Sequence, residues 1–331
     1  MNKVGVIGAG AWGTALAQSI CNAGRDVIIW ARESEVAESI QTHHENSLYL
    51  KGIPLNERLQ ATADIHDLSD VDALLIVTPA QFIRQTLENF KDVIADKPFI
   101  ICSKGIELKT GLLMSEVIAD TFPEGSAKAA YLSGPTFATE IAKGLPCAVT
   151  LAMEDTALGE ELVNLIGSRT LRTYLSNDII GTQIGGAIKN VIAIACGVVE
   201  GRGMGESARC ALITRGLAEM GRLAKAMGAQ KSTLMGMCGV GDLMLTCSSM
   251  QSRNYSFGFK LGKGQSMEDI LNGRIAVTEG VHTAKALKVM AQNNAVDMPI
   301  SSAVYDFIEI GASIEEVMAK TLDRPLRKEN I

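Results

Sequence analysis

The chain has no paired-cysteine motif, no histidine cluster and no basic run. Its seven cysteines are scattered, odd in number and never spaced C-x-x-C. Neither a disulfide framework nor a zinc ribbon follows from that pattern. With no N-terminal signal segment they read as reduced thiols of a cytoplasmic protein. The four histidines include the adjacent pair His43-His44, whose side chains diverge on a helix, so no metal is expected. Aromatic residues are few, at 5%, and none alternates with basic residues. A net charge of -6 argues against a partner bound through a nucleic-acid backbone. One long apolar run, Ile179 to Val199, contains Gly181-x-x-x-Gly185, a spacing associated with packed membrane helices. Lys189 and Asn190 sit in its middle, where a charge would be costly in lipid, so it reads as a buried helix and no membrane span is expected.

What is present is ordinary globular composition, 47% hydrophobic and 21% charged over 331 residues. At ~150 residues per domain this is about two domains. Lys3-Val4-Gly5-Val6-Ile7 reads as a buried strand and Thr14 to Ile20 as a helix. Between them lies Gly8-Ala9-Gly10-Ala11-Trp12-Gly13, the glycine spacing of a dinucleotide-binding turn in the strand-to-helix context that gives it meaning. Gly8 permits the tight turn, Gly10 leaves room for a pyrophosphate, and Gly13 lets helix and strand pack closely. The helix N-terminus supplies unpaired N–H groups to the phosphates. A second strand, Asp26 to Trp30, is followed by Arg32 and Glu33. An arginine here suits the 2′-phosphate of NADP, so NADP(H) is expected as the preferred coenzyme, with NAD tolerated.

Further strands are expected at Asp72 to Val77, Phe99 to Cys102, Ala129 to Leu132, Ala148 to Leu151 and Leu171 to Leu175. Helical spacing falls at Glu35 to His43, Phe82 to Ile94 and Thr156 to Ile166; Glu45 to Ala63 reads as turn-rich. That alternation predicts an α/β fold with a parallel, doubly wound sheet. Thr78-Pro79, Lys104 and Gly134-Pro135-Thr136 fall at strand C-terminal ends, where ligands bind. After Asp178 strand signals stop. The expected organisation is a dinucleotide-binding domain, 1–179, and a helical substrate and dimerisation domain, 180–331.

In the second half, Lys189 and Asn190 are buried by their helix and need partners. Lys189 is either a proton donor and acceptor, its pKa lowered by desolvation, or a structural lysine paired with a carboxylate. In Gly239-Val240-Gly241-Asp242-Leu243, Asp242 either accepts from Lys189 or a substrate hydroxyl, or caps a helix. Ser252-Arg253-Asn254 either holds a phosphate at a helix start or leaves Arg253 facing solvent. Glu279 either caps a helix or bonds a cofactor hydroxyl.

Taken together, these motifs resemble the bacterial NAD(P)-dependent glycerol-3-phosphate dehydrogenases over nearly the whole length. The resemblance rests on Gly8 to Thr14, Ser103-Lys104-Gly105, Leu132 to Ala138, Gly185 to Val191, Gly239 to Leu243, Ser252 to Asn254, and Val277 with Glu279-Gly280. It implies a Rossmann-type domain followed by an all-α domain of the 6-phosphogluconate-dehydrogenase-like kind. It implies hydride transfer between NADPH or NADH and dihydroxyacetone phosphate, with Lys189 as the proton donor or acceptor. Lys104, Gly134, Thr136, Asp242, Ser252, Arg253 and Asn254 are then expected to contact glycerol 3-phosphate, beside Lys189 and Asn190. Ala11, Trp12, Arg32, Tyr49 and Ala138, with Lys104, Arg253, Val277 and Glu279, are expected at the dinucleotide. Ala11 lacks the hydroxyl often found there, which leaves only its backbone. The family is cytoplasmic, usually homodimeric, and supplies glycerol 3-phosphate for phospholipid synthesis. A dehydrogenase of the same architecture acting on a hydroxyacyl or keto-acid substrate, and a non-catalytic NAD(P)H-binding module, are the competing readings.

Overall fold

The structure, a computed structural model, describes residues 1–272 and 278–323. The chain divides into two compact units, Met1–Ser103 with Met114–Ile179, and Lys104–Leu113 with Ile180 onward. The segment 104–113 thus belongs with the second unit, whereas reading along the sequence places it in the first.

The first unit is built on the apolar β-branched runs. The strands are β1 (Lys3–Ile7), β2 (Asp26–Trp30), β3 (Gln60–Thr62), β4 (Ala73–Ile76), β5 (Phe99–Ile101), β6 (Ala129–Ser133), β7 (Cys147–Ala152) and β8 (Leu171–Ser176). They form one sheet in the order β3-β2-β1-β4-β5-β6-β7-β8. Strand order reverses between β1 and β4, the position at which doubly wound sheets bind ligands. Helices α1 (Ala11–Asn22), α2 (Ser34–His43), α3 (Ile83–Asn89), α4 (Lys91–Ile94), α5 (Met114–Thr121), α6 (Ala138–Ala142) and α7 (Thr156–Ile166) connect the strands. Leu16, Ile20, Val6, Ile29 and Leu75, all fully buried, anchor this core.

Three departures from the sequence reading are local. The sheet is not wholly parallel: β7 runs antiparallel to β6, pairing Leu132 with Leu151. The connection after β6 carries only the five-residue α6, not the full helix that usually brings a chain back for a parallel pairing. The helical pattern from Phe82 to Ile94 breaks at Phe90, which separates α3 from α4. The three-residue strand β3, which the sequence did not lead one to expect, lies inside the stretch read as turn-rich.

The second unit is helical among its described residues: α8 (Ile179–Gly201), α9 (Glu206–Ala226), α10 (Lys231–Leu234), α11 (Asp242–Cys247), α12 (Arg253–Gly262), α13 (Met267–Asn272), α14 (Glu279–Asn293), α15 (Pro299–Tyr305) and α16 (Ile314–Leu322). α8 has the length and hydropathy to cross a bilayer, but 83% of its most apolar window is buried inside the protein. It is the central helix of this core, with Ile188, Val191, Ile192 and Ala193 fully buried. Its small residues set how closely neighbours approach. A Cβ on Gly197 would stand 2.1 Å from the Tyr255 carbonyl oxygen, and one on Gly258 would stand 2.1 Å from that of Ile194. α8 and α12 therefore cross backbone to backbone, a contact that only hydrogen allows. Gly258→Ala is expected to lower stability by at least about 2 kcal/mol, as overpacking of a tight crossing does. Thermal or denaturant unfolding checks this, and an unchanged midpoint contradicts the crossing.

Candidate active site

In the first unit the glycine-rich turn has the conformation its spacing demands. β1 ends at Ile7, and Gly8 adopts φ +114° while donating its N–H to the Trp30 carbonyl at 3.0 Å. A Cβ on Gly13 would lie 1.9 Å from the Gly8 carbonyl oxygen, so the helix can sit this close only with glycine there. Around Gly10 nothing lies within 4 Å of a built Cβ, which leaves the turn open on the side a pyrophosphate would take. α1 starts at Ala11 and leaves its first amides pointing at that opening. Trp12 adds an indole Nε1 that is buried with no partner among the described residues. An open cradle, a helix N-terminus and an orphaned donor fit a bound dinucleotide.

Asn46, which the sequence reading missed, braces this turn. It is fully buried. Its Nδ2 donates to the Ala9 carbonyl and to Thr14 Oγ1, both at 2.8 Å, and its Oδ1 accepts the Tyr49 N–H at 3.0 Å. Both ends of its side-chain amide are thus engaged between the glycine turn and the segment carrying Tyr49. The only sequence signal was a polar residue inside a turn-rich stretch, which carries no periodicity. Beyond β2, the Arg32 guanidinium donates through Nε and Nη2 to one oxygen of Glu33, at 3.2 and 2.7 Å, and the Tyr49 hydroxyl lies 3.5 Å from the same oxygen. The bond to Glu33 raises the pKa of Arg32, and burial raises that of Tyr49. Gly134 follows β6, and a Cβ there would meet the Val149 Cα at 2.8 Å. Thr136 Oγ1 donates back to the Gly134 carbonyl at 3.3 Å, and Ala138 opens α6.

In the second unit Lys104, Lys189 and Asp242 come together. Asp242 is fully buried and Lys189 nearly so. Lys104 Nζ donates to one Asp242 oxygen at 2.8 Å, and Lys189 Nζ donates to the other in a shorter contact. Thr246 Oγ1 reaches the latter oxygen at 3.4 Å. Asp242 is therefore an ion-pair partner, not the cap that was its alternative. It is delivered by a π-helical turn, Met237–Gly241, whose extra residue re-aims the chain just before α11. That turn lies close against α8, because a Cβ on Gly185 would stand 2.2 Å from the Cys238 carbonyl oxygen. Burial drives the Lys189 pKa down to about 8; Asp242 opposes the shift and the Lys104 charge adds to it. The group is then poised to give or take a proton near neutrality. One carboxylate among two ammonium groups also leaves a buried excess of positive charge.

Next along α8, Asn190 accepts from Asn254 Nδ2 at 2.9 Å, and Asn254 Oδ1 accepts the Gly280 N–H at 2.9 Å. Ser252 caps α12 through the Tyr255 N–H at 3.2 Å. Arg253 opens that helix, exposed by area, while desolvation lowers its pKa and Glu279, the first residue of α14, opposes the shift. For an incoming anion its exposure matters more than that shift, because the guanidinium stays charged. Val277 lies outside the described residues.

Residues 3–159 match the NAD-dependent glycerol-3-phosphate dehydrogenase N-terminus, and residues 178–319 match the corresponding C-terminus. A relative from Parvibaculum lavamentivorans, named glycerol-3-phosphate dehydrogenase (NAD(P)+), is 51% identical over 99% of this chain and 98% of its own. One of the same name from Maricaulis maris is 50% identical over 99% and 98%. A crystal structure of glycerol-3-phosphate dehydrogenase from Coxiella burnetii superposes with a TM-score of 0.92 at 34% identity, over 98% of this chain and 99% of that one. With both halves matched and relatives at half identity along nearly the full length, the chain belongs to the NAD-dependent glycerol-3-phosphate dehydrogenase family.

Proposed function

We propose that the protein is an NAD(P)-dependent sn-glycerol-3-phosphate dehydrogenase that reversibly reduces dihydroxyacetone phosphate, with Lys189 as the proton donor in that direction and the acceptor in reverse. The observation that carries the reading is the pair of lysines on one buried carboxylate. The nicotinamide, when bound, supplies or takes up the hydride. Lys189 and Lys104 polarise the carbonyl and favour charge developing on its oxygen. Asp242 holds both ammonium groups in place and keeps Lys189 from losing its proton too readily. Arg253 is the candidate handle for the phosphate, with Ser252 and Asn254 beside it at the start of α12, so that remote binding positions the carbonyl. Gly134 and Thr136 complete the substrate set. Gly8, Gly10 and Gly13, with the amides of Ala11 and Trp12, hold the pyrophosphate; Arg32 and Tyr49 take the adenosine end. Lys104, Ala138, Arg253, Val277 and Glu279 make the remaining dinucleotide contacts. The same reading makes the protein a cytoplasmic homodimer that supplies glycerol 3-phosphate for phospholipid synthesis.

Loss of NADPH absorbance on adding dihydroxyacetone phosphate tests the activity. Lys189→Ala is expected to cut kcat by ~10²–10⁴ while coenzyme binding survives. For wild type, kcat/KM for dihydroxyacetone phosphate should fall as pH rises through about 8, because the donor must be protonated, and that for glycerol 3-phosphate should rise through the same value. Near-normal turnover in Lys189→Ala removes Lys189 from the chemistry.

Coenzyme choice is set by Arg32 and Glu33 in this reading. The guanidinium favours a 2′-phosphate, whereas the carboxylate repels it and accepts a 2′-hydroxyl. An exposed ion pair between neighbours opens at little cost, so either group is available. Arg32→Ala is expected to lower the NADPH-to-NADH ratio of kcat/KM about tenfold and Glu33→Gln to raise it about fivefold. Ratios unmoved by both substitutions contradict the assignment.

A further inference from the structure

Asn190 and Asn254 are each about nine-tenths buried, at 7% exposure, and each has an amide whose oxygen and nitrogen look alike in shape. Here the orientation of both is determined. The Gly280 backbone can only donate, and its N–H meets Asn254 at 2.9 Å, so Asn254 presents its oxygen there. The Asn254 nitrogen is then turned toward Asn190, which has to answer with its own oxygen, again at 2.9 Å. Asn190 is left with its Nδ2 facing away, and that nitrogen donates to no described group. Reversing either amide would set donor against donor in a buried setting, which proteins avoid.

The chain of three is also sterically defined. A Cβ at position 280 would stand 2.7 Å from the Asn190 carbonyl oxygen and 2.7 Å from Asn254 Oδ1. Only glycine brings the start of α14 close enough for its N–H to reach Asn254. The close α8–α12 crossing brings the other two links within range.

We propose that Asn254 and the Gly280 amide are positioning groups that lock Asn190 in its donor orientation. The substrate then meets hydrogen-bond donors at both Asn190 and the adjacent Lys189. This rests on the reading of Lys189 and Asn190 as substrate-facing. A donor at position 190 bonds a carbonyl or alkoxide oxygen; the reversed amide would offer that oxygen a second lone pair and repel it.

Asn254→Asp tests the relay. As a carboxylate, residue 254 still accepts from Gly280 but now also demands a donor from Asn190, turning that amide the wrong way. As a neutral acid it donates to Asn190 and restores the native orientation. The ratio of variant to wild-type kcat for dihydroxyacetone phosphate reduction should therefore fall by about tenfold per pH unit above the pKa of the new acid and recover below it. A lost contact of purely structural kind gives no such titration. In an Asn190→Ala background the Asn254→Asp effect on kcat should vanish. Should Asn254→Asp fail to bind NADPH, Asn190→Asp carries the test. It keeps accepting from Asn254 and binds coenzyme, but puts an acceptor at the substrate, and kcat should drop at least about tenfold. A pH-independent ratio, an undiminished effect in the Asn190→Ala background, or wild-type kcat in Asn190→Asp overturns the relay. Absence of dihydroxyacetone phosphate reduction by wild type instead defeats the functional reading beneath it.

Discussion

A single buried carboxylate shared by two lysines is the constraint on which the second unit depends. Asp242 has no exposed surface, and each of its oxygens is held by a different ammonium group, from Lys104 and from Lys189. Such a cluster adds little to stability, because desolvating three charges offsets most of their attraction. Its value is chemical. Desolvation and the Lys104 charge press Lys189 toward neutrality while the carboxylate resists, and the balance falls near the pH at which proton exchange is most efficient. The remaining positive charge suits an anionic substrate, and a phosphorylated one above all.

The helices deliver these groups by close approach more than by loop design. Gly185 admits the π-helical turn that carries Asp242, and Gly197 with Gly258 admits the crossing that sets Asn254 beside Asn190. In both cases side chains missing from α8 or its partner determine how near the polar groups come. The apolar length of α8 serves the same end: it buries Lys189 deeply enough to change its proton affinity. In the first unit Asn46 plays the corresponding part, holding the glycine turn open through the Ala9 carbonyl and linking it to the Tyr49 segment.

Much of this was legible in the sequence because the signals are local. Glycine spacing between a strand and a helix identified the Gly8–Gly13 turn, and alternating strand and helix runs identified the doubly wound sheet. Lys189 announced itself as a charge in an apolar helix, and Asp242 as an acid between glycines. What was hidden depends on partners far apart in the chain. The antiparallel β7 reads like any other apolar run, since periodicity carries no direction. The assignment of 104–113 to the second unit is a matter of which core Ile106 and Leu113 join, which no local pattern states. Asn46 acts through contacts 32 to 37 residues away, so nothing around it in sequence marks its role; Gly280 stands in a quoted motif, but its bond to Asn254, 26 residues away, is not legible there.

The central claim, that Asp242 holds the proton on Lys189 against the effect of burial, is tested most directly by the pH profile of dihydroxyacetone phosphate reduction in Asp242→Asn. Removing the carboxylate takes away the one influence that holds the proton on Lys189, while burial and the Lys104 charge remain. The account predicts that the alkaline limb of kcat/KM moves to lower pH than the value of about 8 expected for the intact site. A limb that stays where it is in wild type would contradict it.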